Sequence, residues 1–115
     1  MERGLFALIV ALCFIVDLTM YLVTLRAATG RIKRNFWLGI RTRTTRHSDE
    51  AWLAAHIAAY PIMRDTAAAN ALLLVIAMFL PFEFQGYLTQ FALGVLVIGI
   101  VMGAIQAQKA AKATL

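Results

Sequence analysis

Residues 4–25 read GLFALIVALCFIVDLTMYLVTL, an apolar stretch that contains one charged residue, Asp17. A transmembrane α-helix needs about 20 consecutive, mainly apolar residues, so this stretch is long enough to cross a bilayer. Residues 66–82, near the lower length limit of about 17 residues, and residues 86–105 have the same character and contain no charged residue. The sequence therefore predicts an all-α membrane protein, a single domain with three transmembrane helices.

The overall composition supports this class of protein. Of the 115 residues, 62% are hydrophobic and 15% are charged, which is too apolar for a surface that faces water on all sides. A net charge of +5 would favour nucleic-acid binding in a soluble protein. Here the basic residues lie next to the predicted spans, so we expect no nucleic-acid partner. With one cysteine, Cys13, these residues cannot form an intramolecular disulfide.

The basic residues also predict the orientation. Seven of them lie between Arg26 and Arg46 with no acidic residue among them, and Lys109 and Lys112 follow the third span. The positive-inside rule therefore places residues 26–65 and the C-terminus in the cytoplasm, and the N-terminus outside. The alternative, that the first stretch is a signal peptide, is disfavoured, because the stretch is longer than the roughly 7–15 residues of a signal-peptide apolar region.

The second and third spans are close enough in sequence that they must form an antiparallel hairpin. Gly99 and Gly103 are four positions apart on the third span, a spacing that lets another helix approach closely. That helix could be one of the other two spans, or the same span of a second copy in a homo-oligomer.

Residues 35–56, which read NFWLGIRTRTTRHSDEAWLAAH, are polar and lie between membrane spans. Ser48 and the two acidic residues after it are typical of a helix N-terminus. Pro61 disfavours the helical conformation at the preceding residue. We therefore predict an interfacial cytoplasmic helix from Ser48 to about Ala59, separate from the second span.

A basic cluster precedes this segment, at Arg31, Lys33 and Arg34. Anionic lipid headgroups attract such clusters by about 1 kcal/mol per charge. We therefore expect the bilayer itself, through anionic headgroups, to be one partner of the protein.

Asp17 is the main candidate for a function inside the membrane. At 1.5 Å per residue it lies about 12 Å from Leu25, deep in a hydrocarbon core about 30 Å thick. An acid there costs at least a few kcal/mol unless it is paired, protonated or hydrated. Tyr21 shares its helix face, and Asn70 is a candidate neighbour. Asp17 could close an internal network, with Arg41 as a candidate partner, carry a proton, or line a ligand pocket.

Catalytic and metal chemistry are poorly supported. Ser48 and His56 lie two helical turns apart, with no acid placed to orient the imidazole. His47 and Cys13 do not combine with His56 into a zinc-type spacing. There is no phosphate-binding or dinucleotide-binding glycine pattern. We therefore expect a protein that is not an enzyme and has no metal or cofactor, with His56 as a hydrogen-bonded polar group.

Eight residues of the polar segment follow the pattern N-x3-G-x-R-T-x2-T-x2-S-x3-W-x3-H. They are Asn35, Gly39, Arg41, Thr42, Thr45, Ser48, Trp52 and His56. The pattern, with one span before it and a hairpin of two after it, resembles the SdpI-like membrane proteins. The family's founder protects bacteria from a secreted peptide toxin made by their own kin. The chain is similar to the C-terminal half of that larger protein, and it departs from the pattern at Arg46 and Ile57, where apolar and basic residues are commoner.

The resemblance implies a multi-pass protein of the bacterial plasma membrane. It also implies immunity to a membrane-active peptide toxin, through binding of the toxin, a lipid or another membrane protein. The polar motif groups, with Arg41 and the N-terminus of the Ser48 helix, could build a site for a lipid phosphate, a peptide carboxylate or Asp17. Two other functions stay open: a small proton-coupled transporter that uses Asp17, and an accessory subunit that packs through Gly99 and Gly103.

Overall fold

A computed structural model describes residues 2–115 of the protein. Over these residues the chain forms three α-helices, each long and apolar enough to cross a membrane. This confirms the prediction of an all-α protein with three candidate spans. The helices are α1 (Arg3–Ala28), α2 (Asp49–Met78) and α3 (Phe82–Lys112).

The helices are longer than the predicted spans, especially at one end of the molecule. A helix of 30 residues, such as α2, is about 45 Å long, which exceeds a hydrocarbon core of about 30 Å. Residues 79–81 join α2 to α3 in a tight hairpin, so the extra length of both helices lies at the opposite end. Residues 29–48, the connecting segment, lie between α1 and α2 at that end.

The prediction of a separate interfacial helix is wrong. Its start is placed as expected, because the Ser48 hydroxyl accepts a hydrogen bond from the Ala51 N–H at 3.0 Å. The helix then continues through Pro61 to Met78 without a break. Packing outweighs the local preference of proline here. Buried residues on both sides of Pro61 pack α2 against α3, and they are Ala51, Ala55, Ala59 and Met63 of α2 with Ala107 and Ala111 of α3.

The central helix of the bundle is α2, since α1 and α3 each pack along it and barely touch one another. Gly99 and Gly103 both face α2. A side chain at Gly99 would clash with Thr66, and one at Gly103 would clash with Met63. The two glycines therefore bring α3 close to α2 inside one chain. The outer faces carry large exposed apolar side chains, as lipid-facing helices do, among them Leu8, Ile15, Leu72, Val97 and Ile98.

Candidate functional site

The connecting segment begins with a turn that Asn35 organises. Its Oδ1 accepts hydrogen bonds from the N–H groups of Trp37 and Leu38, both at 2.7 Å. Its amide nitrogen donates to the Lys33 carbonyl at 2.7 Å. The turn leaves Phe36 and Trp37 exposed, which suits side chains that lie in a membrane interface.

Gly39 brings the segment against α2. Its φ of +100° is a conformation that residues with a Cβ rarely adopt. A Cβ at this position would also lie 2.8 Å from both the Trp52 ring and His56 Nε2. Glycine is therefore required twice over, by backbone conformation and by the closeness of these two side chains.

Trp52 and His56 hold this contact from the side of α2. The indole N–H of Trp52 donates to the Ile32 carbonyl at 2.9 Å, so this part of α2, which precedes the predicted span of residues 66–82, lies alongside the chain that follows α1. His56 Nε2 accepts a hydrogen bond from the Ile40 N–H at 2.9 Å. Its Nδ1 lies 2.8 Å from the Trp52 carbonyl.

These partners determine the state of the imidazole. A backbone N–H can only donate and a carbonyl can only accept, so His56 is neutral with its proton on Nδ1. Burial lowers the pKa of His56, and the hydrogen bond to Trp52 offsets part of that effect. As expected, His56 is a hydrogen-bonded polar group.

Of the two motif threonines, Thr45 holds the backbone of the segment and Thr42 links it to α3. Thr45 is fully buried, and its hydroxyl donates to the Ile40 carbonyl at 2.7 Å. The Thr42 hydroxyl donates to Oε1 of Gln108 at 2.8 Å, and the Gln108 amide donates to the Thr44 hydroxyl at 2.9 Å. Sequence reasoning missed Gln108, because one amide on a long helix belongs to no pattern.

Three arginines of the segment contact its own residues or the start of α2. Arg41 donates to the Phe36 carbonyl, and the Arg46 guanidinium lies 4.7 Å from the centre of the Phe36 ring. Arg34 donates to the Arg46 carbonyl and forms an ion pair with Asp49 at 3.0 Å. The motif therefore uses most of its polar groups in hydrogen bonds within the segment or between the segment and α2 or α3, which leaves few of them for a ligand.

A second candidate site lies between α1 and α2, in a groove of about 510 Å³. Its wall is mainly apolar and it opens sideways, past the exposed Leu18. We call it the lateral groove. It is lined by Phe14, Asp17, Leu18 and Tyr21 of α1 and by Arg64, Ala67, Ala68 and Ala71 of α2.

Asp17 is the polar centre of the lateral groove. The residue is 4% exposed, and within residues 2–115 no group donates a hydrogen bond to either carboxylate oxygen. Arg64 lines the same groove but forms its ion pair with Asp65, at 3.0 Å. Arg41, the partner considered from sequence, is engaged with Phe36 instead.

The other predicted intramembrane polar residues have separate surroundings. Tyr21 lines the lateral groove, and its hydroxyl lies 3.5 Å from that of Tyr60. Asn70 is buried and donates to the Ala92 carbonyl of α3, so it packs in the interface between α2 and α3. Over the described range 2–115, His, Cys, Asp and Glu form no group of three that could hold a metal ion.

Comparison with known proteins gives one result. The model of the SdpI/YfhL protein family matches residues 31–105, which is more than half of the chain. The match includes all eight motif residues, the whole of α2 and α3 as far as residue 105, and it begins after α1. No curated protein and no solved structure matches the chain significantly.

Proposed function

The chain belongs to the SdpI/YfhL protein family, and from this premise we propose that it protects a bacterial plasma membrane against a membrane-active peptide. It does so without enzymatic chemistry, by binding the peptide inside the bilayer. The observation that carries this proposal is the lateral groove. A peptide that acts on membranes meets its target in the plane of the bilayer, and the groove opens in that direction.

The connecting segment has a supporting part in this function. Ile32, four residues after the end of α1, and Ile40 bind Trp52 and His56 of α2. Thr42 binds Gln108 of α3. These contacts hold the ends of three helices at fixed positions. The separation between α1 and α2, and with it the width of the lateral groove, therefore depends on the motif.

A challenge assay tests the proposal. Cells that express the protein should survive a panel of membrane-depolarising peptides better than cells without it. Trp52→Ala removes the hydrogen bond to Ile32 and should abolish the advantage, as should Ala68→Trp, which fills the groove. Glu83→Gln, at an exposed site far along the chain from both, serves as the matched control and should keep it. Membrane abundance is measured for every variant, and equal survival with and without the protein across the panel would rule out protection.

A second candidate, a small proton-coupled transporter, is favoured by the burial of Asp17 without a partner in a spanning helix. The two functions differ in one measurement on purified protein in liposomes. Transport requires a pH-driven flux that Asp17→Asn abolishes, whereas protection by binding requires no flux.

A further inference from the structure

We propose that the lateral groove binds a cationic side chain, an ammonium or a guanidinium, of a helical peptide that lies in the membrane, with Asp17 as its counter-ion. The inference rests on the proposed function, since this peptide is the one against which the protein protects. It adds the chemical property by which the peptide is recognised.

The charge of the groove favours a cationic ligand. Asp17 is buried, faces the groove, and receives no hydrogen bond from residues 2–115. The basic residue that lines the same groove is Arg64. Its guanidinium pairs with Asp65 and lies 5.7 Å from the centre of the Tyr60 ring. A carboxylate in the membrane needs a partner, and a basic side chain from outside the chain would supply one.

The shape of the groove supports a helix as the carrier of that cation. Ala67, Ala68 and Ala71 form the α2 wall, and small residues allow a second helix to approach closely in a membrane. Phe14 and Leu18 line the α1 side, so the stem of a long basic side chain would lie against apolar surface. A lysine or arginine combines such an apolar stem with a charged tip.

The depth of Asp17 decides between a peptide and a lipid. The amine of a zwitterionic lipid lies in the headgroup layer, whereas Asp17 is about 12 Å along α1 from Leu25, where the apolar stretch ends. A side chain of a membrane-spanning peptide reaches that depth directly. We therefore assign the groove to a peptide, and we treat a lipid amine as an outcome of the experiment.

The experiment measures binding between the full-length protein and synthetic helices in phosphatidylcholine vesicles, by energy transfer between a label on each. One probe is a Leu/Ala transmembrane helix with a single lysine about 12 Å from one end. The other carries norleucine at the same position. The lysine peptide should bind wild-type protein at least about tenfold more tightly, which corresponds to about 1.4 kcal/mol.

Three variants locate the effect. Asp17→Asn should remove the preference for lysine but keep the residual binding of both peptides. Ala68→Trp, at an exposed position, should weaken both peptides alike. Glu83→Gln removes an acid outside the groove and should leave the preference unchanged. Helix content measured by circular dichroism shows that each variant is folded.

Equal binding of the two peptides to wild-type protein would overturn the inference, and so would a lysine preference that survives in Asp17→Asn. If phosphatidylethanolamine added to the vesicles suppresses lysine-peptide binding, the groove belongs to a lipid amine and the inference also fails. The challenge assay is independent of these results. If the cells are protected but binding does not depend on lysine, this inference alone is wrong. If binding depends on lysine but the cells are not protected, the proposed function is wrong.

Discussion

At the residue scale, His56 joins the connecting segment to α2, and its protonation should control how firmly the segment is held. The neutral ring accepts the Ile40 N–H at Nε2, an acceptor that the protonated ring loses. Burial lowers the pKa of His56 below its ordinary value of 6.5. Below that value the unfolded chain binds a proton that the folded protein resists, so the free energy of unfolding falls as the pH decreases.

This predicts that the thermal midpoint of the protein in detergent drops between about pH 7.5 and pH 5, across the ordinary histidine pKa. A loss of about 1 kcal/mol would lower the midpoint by about 4–8 °C. His56→Gln keeps a hydrogen-bonding side chain but does not titrate, so its midpoint should start lower and change less over the same range. His47 is present in both proteins, so it does not affect the difference between them. Equal slopes for the two proteins would contradict the role assigned to His56.

Other residues show what spacing can and cannot predict. The pattern of the motif named Gly39 and His56, and the structure places the two side by side. It did not say that their partners would be the protein's own backbone, because a hydrogen-bond partner depends on tertiary contacts. For the same reason the sequence could not predict Gln108 as a partner of Thr42, or that Arg41 would donate to Phe36 rather than reach Asp17.

At the element scale, the contact between α2 and α3 depends on two glycines. A Cβ at Gly99 would clash with the short side chain of Thr66, and one at Gly103 would require the end of the Met63 side chain to move. A Cβ at Gly94 would meet nothing within 4 Å. Overpacking of a close contact usually costs about 1–3 kcal/mol. Gly99→Leu with Gly103→Leu should therefore separate the helices and lower the thermal midpoint.

Gly94→Leu is the matched control on the same helix. It should keep or slightly raise the midpoint, since glycine is a poor helix former. If the control is as unstable as the double variant, the cause is not the contact with α2. If the loss depends on protein concentration, the glycines contact a second copy of the chain instead.

The course of α2 shows where local rules fail at this scale. Pro61 and the helix start at Ser48 predicted two helices, and the start was correct while the break was not. The buried alanines on both sides of Pro61 explain the difference, because their packing on α3 acts over several turns. The orientation of α1 about its own axis leaves Asp17 without a partner. This orientation also depends on packing, so it was not predictable from the position of the acid.

At the scale of the whole molecule, the extra helix length and the basic residues lie at the same end. The molecule is 51 Å long. A hydrocarbon core of about 30 Å leaves about 20 Å of it outside the core. The extra helix length and the connecting segment lie at one end, and so do the basic residues from Arg26 to Arg46 and those near Lys112. Three apolar stretches were enough to predict the fold class, because lipid as a solvent allows few alternatives to helices.

This asymmetry predicts the orientation, which can be tested with single cysteines in a Cys13→Ala background. Residues His47 and Glu83 are both exposed and lie at opposite ends of the bundle. The positive-inside rule predicts that the basic end lies in the cytoplasm, so a membrane-impermeant maleimide should label Glu83→Cys in intact cells. It should label His47→Cys only after the cells are permeabilised. The reverse pattern would place the connecting segment outside, and labelling of both in intact cells would mean that the helices do not span the membrane as a hairpin.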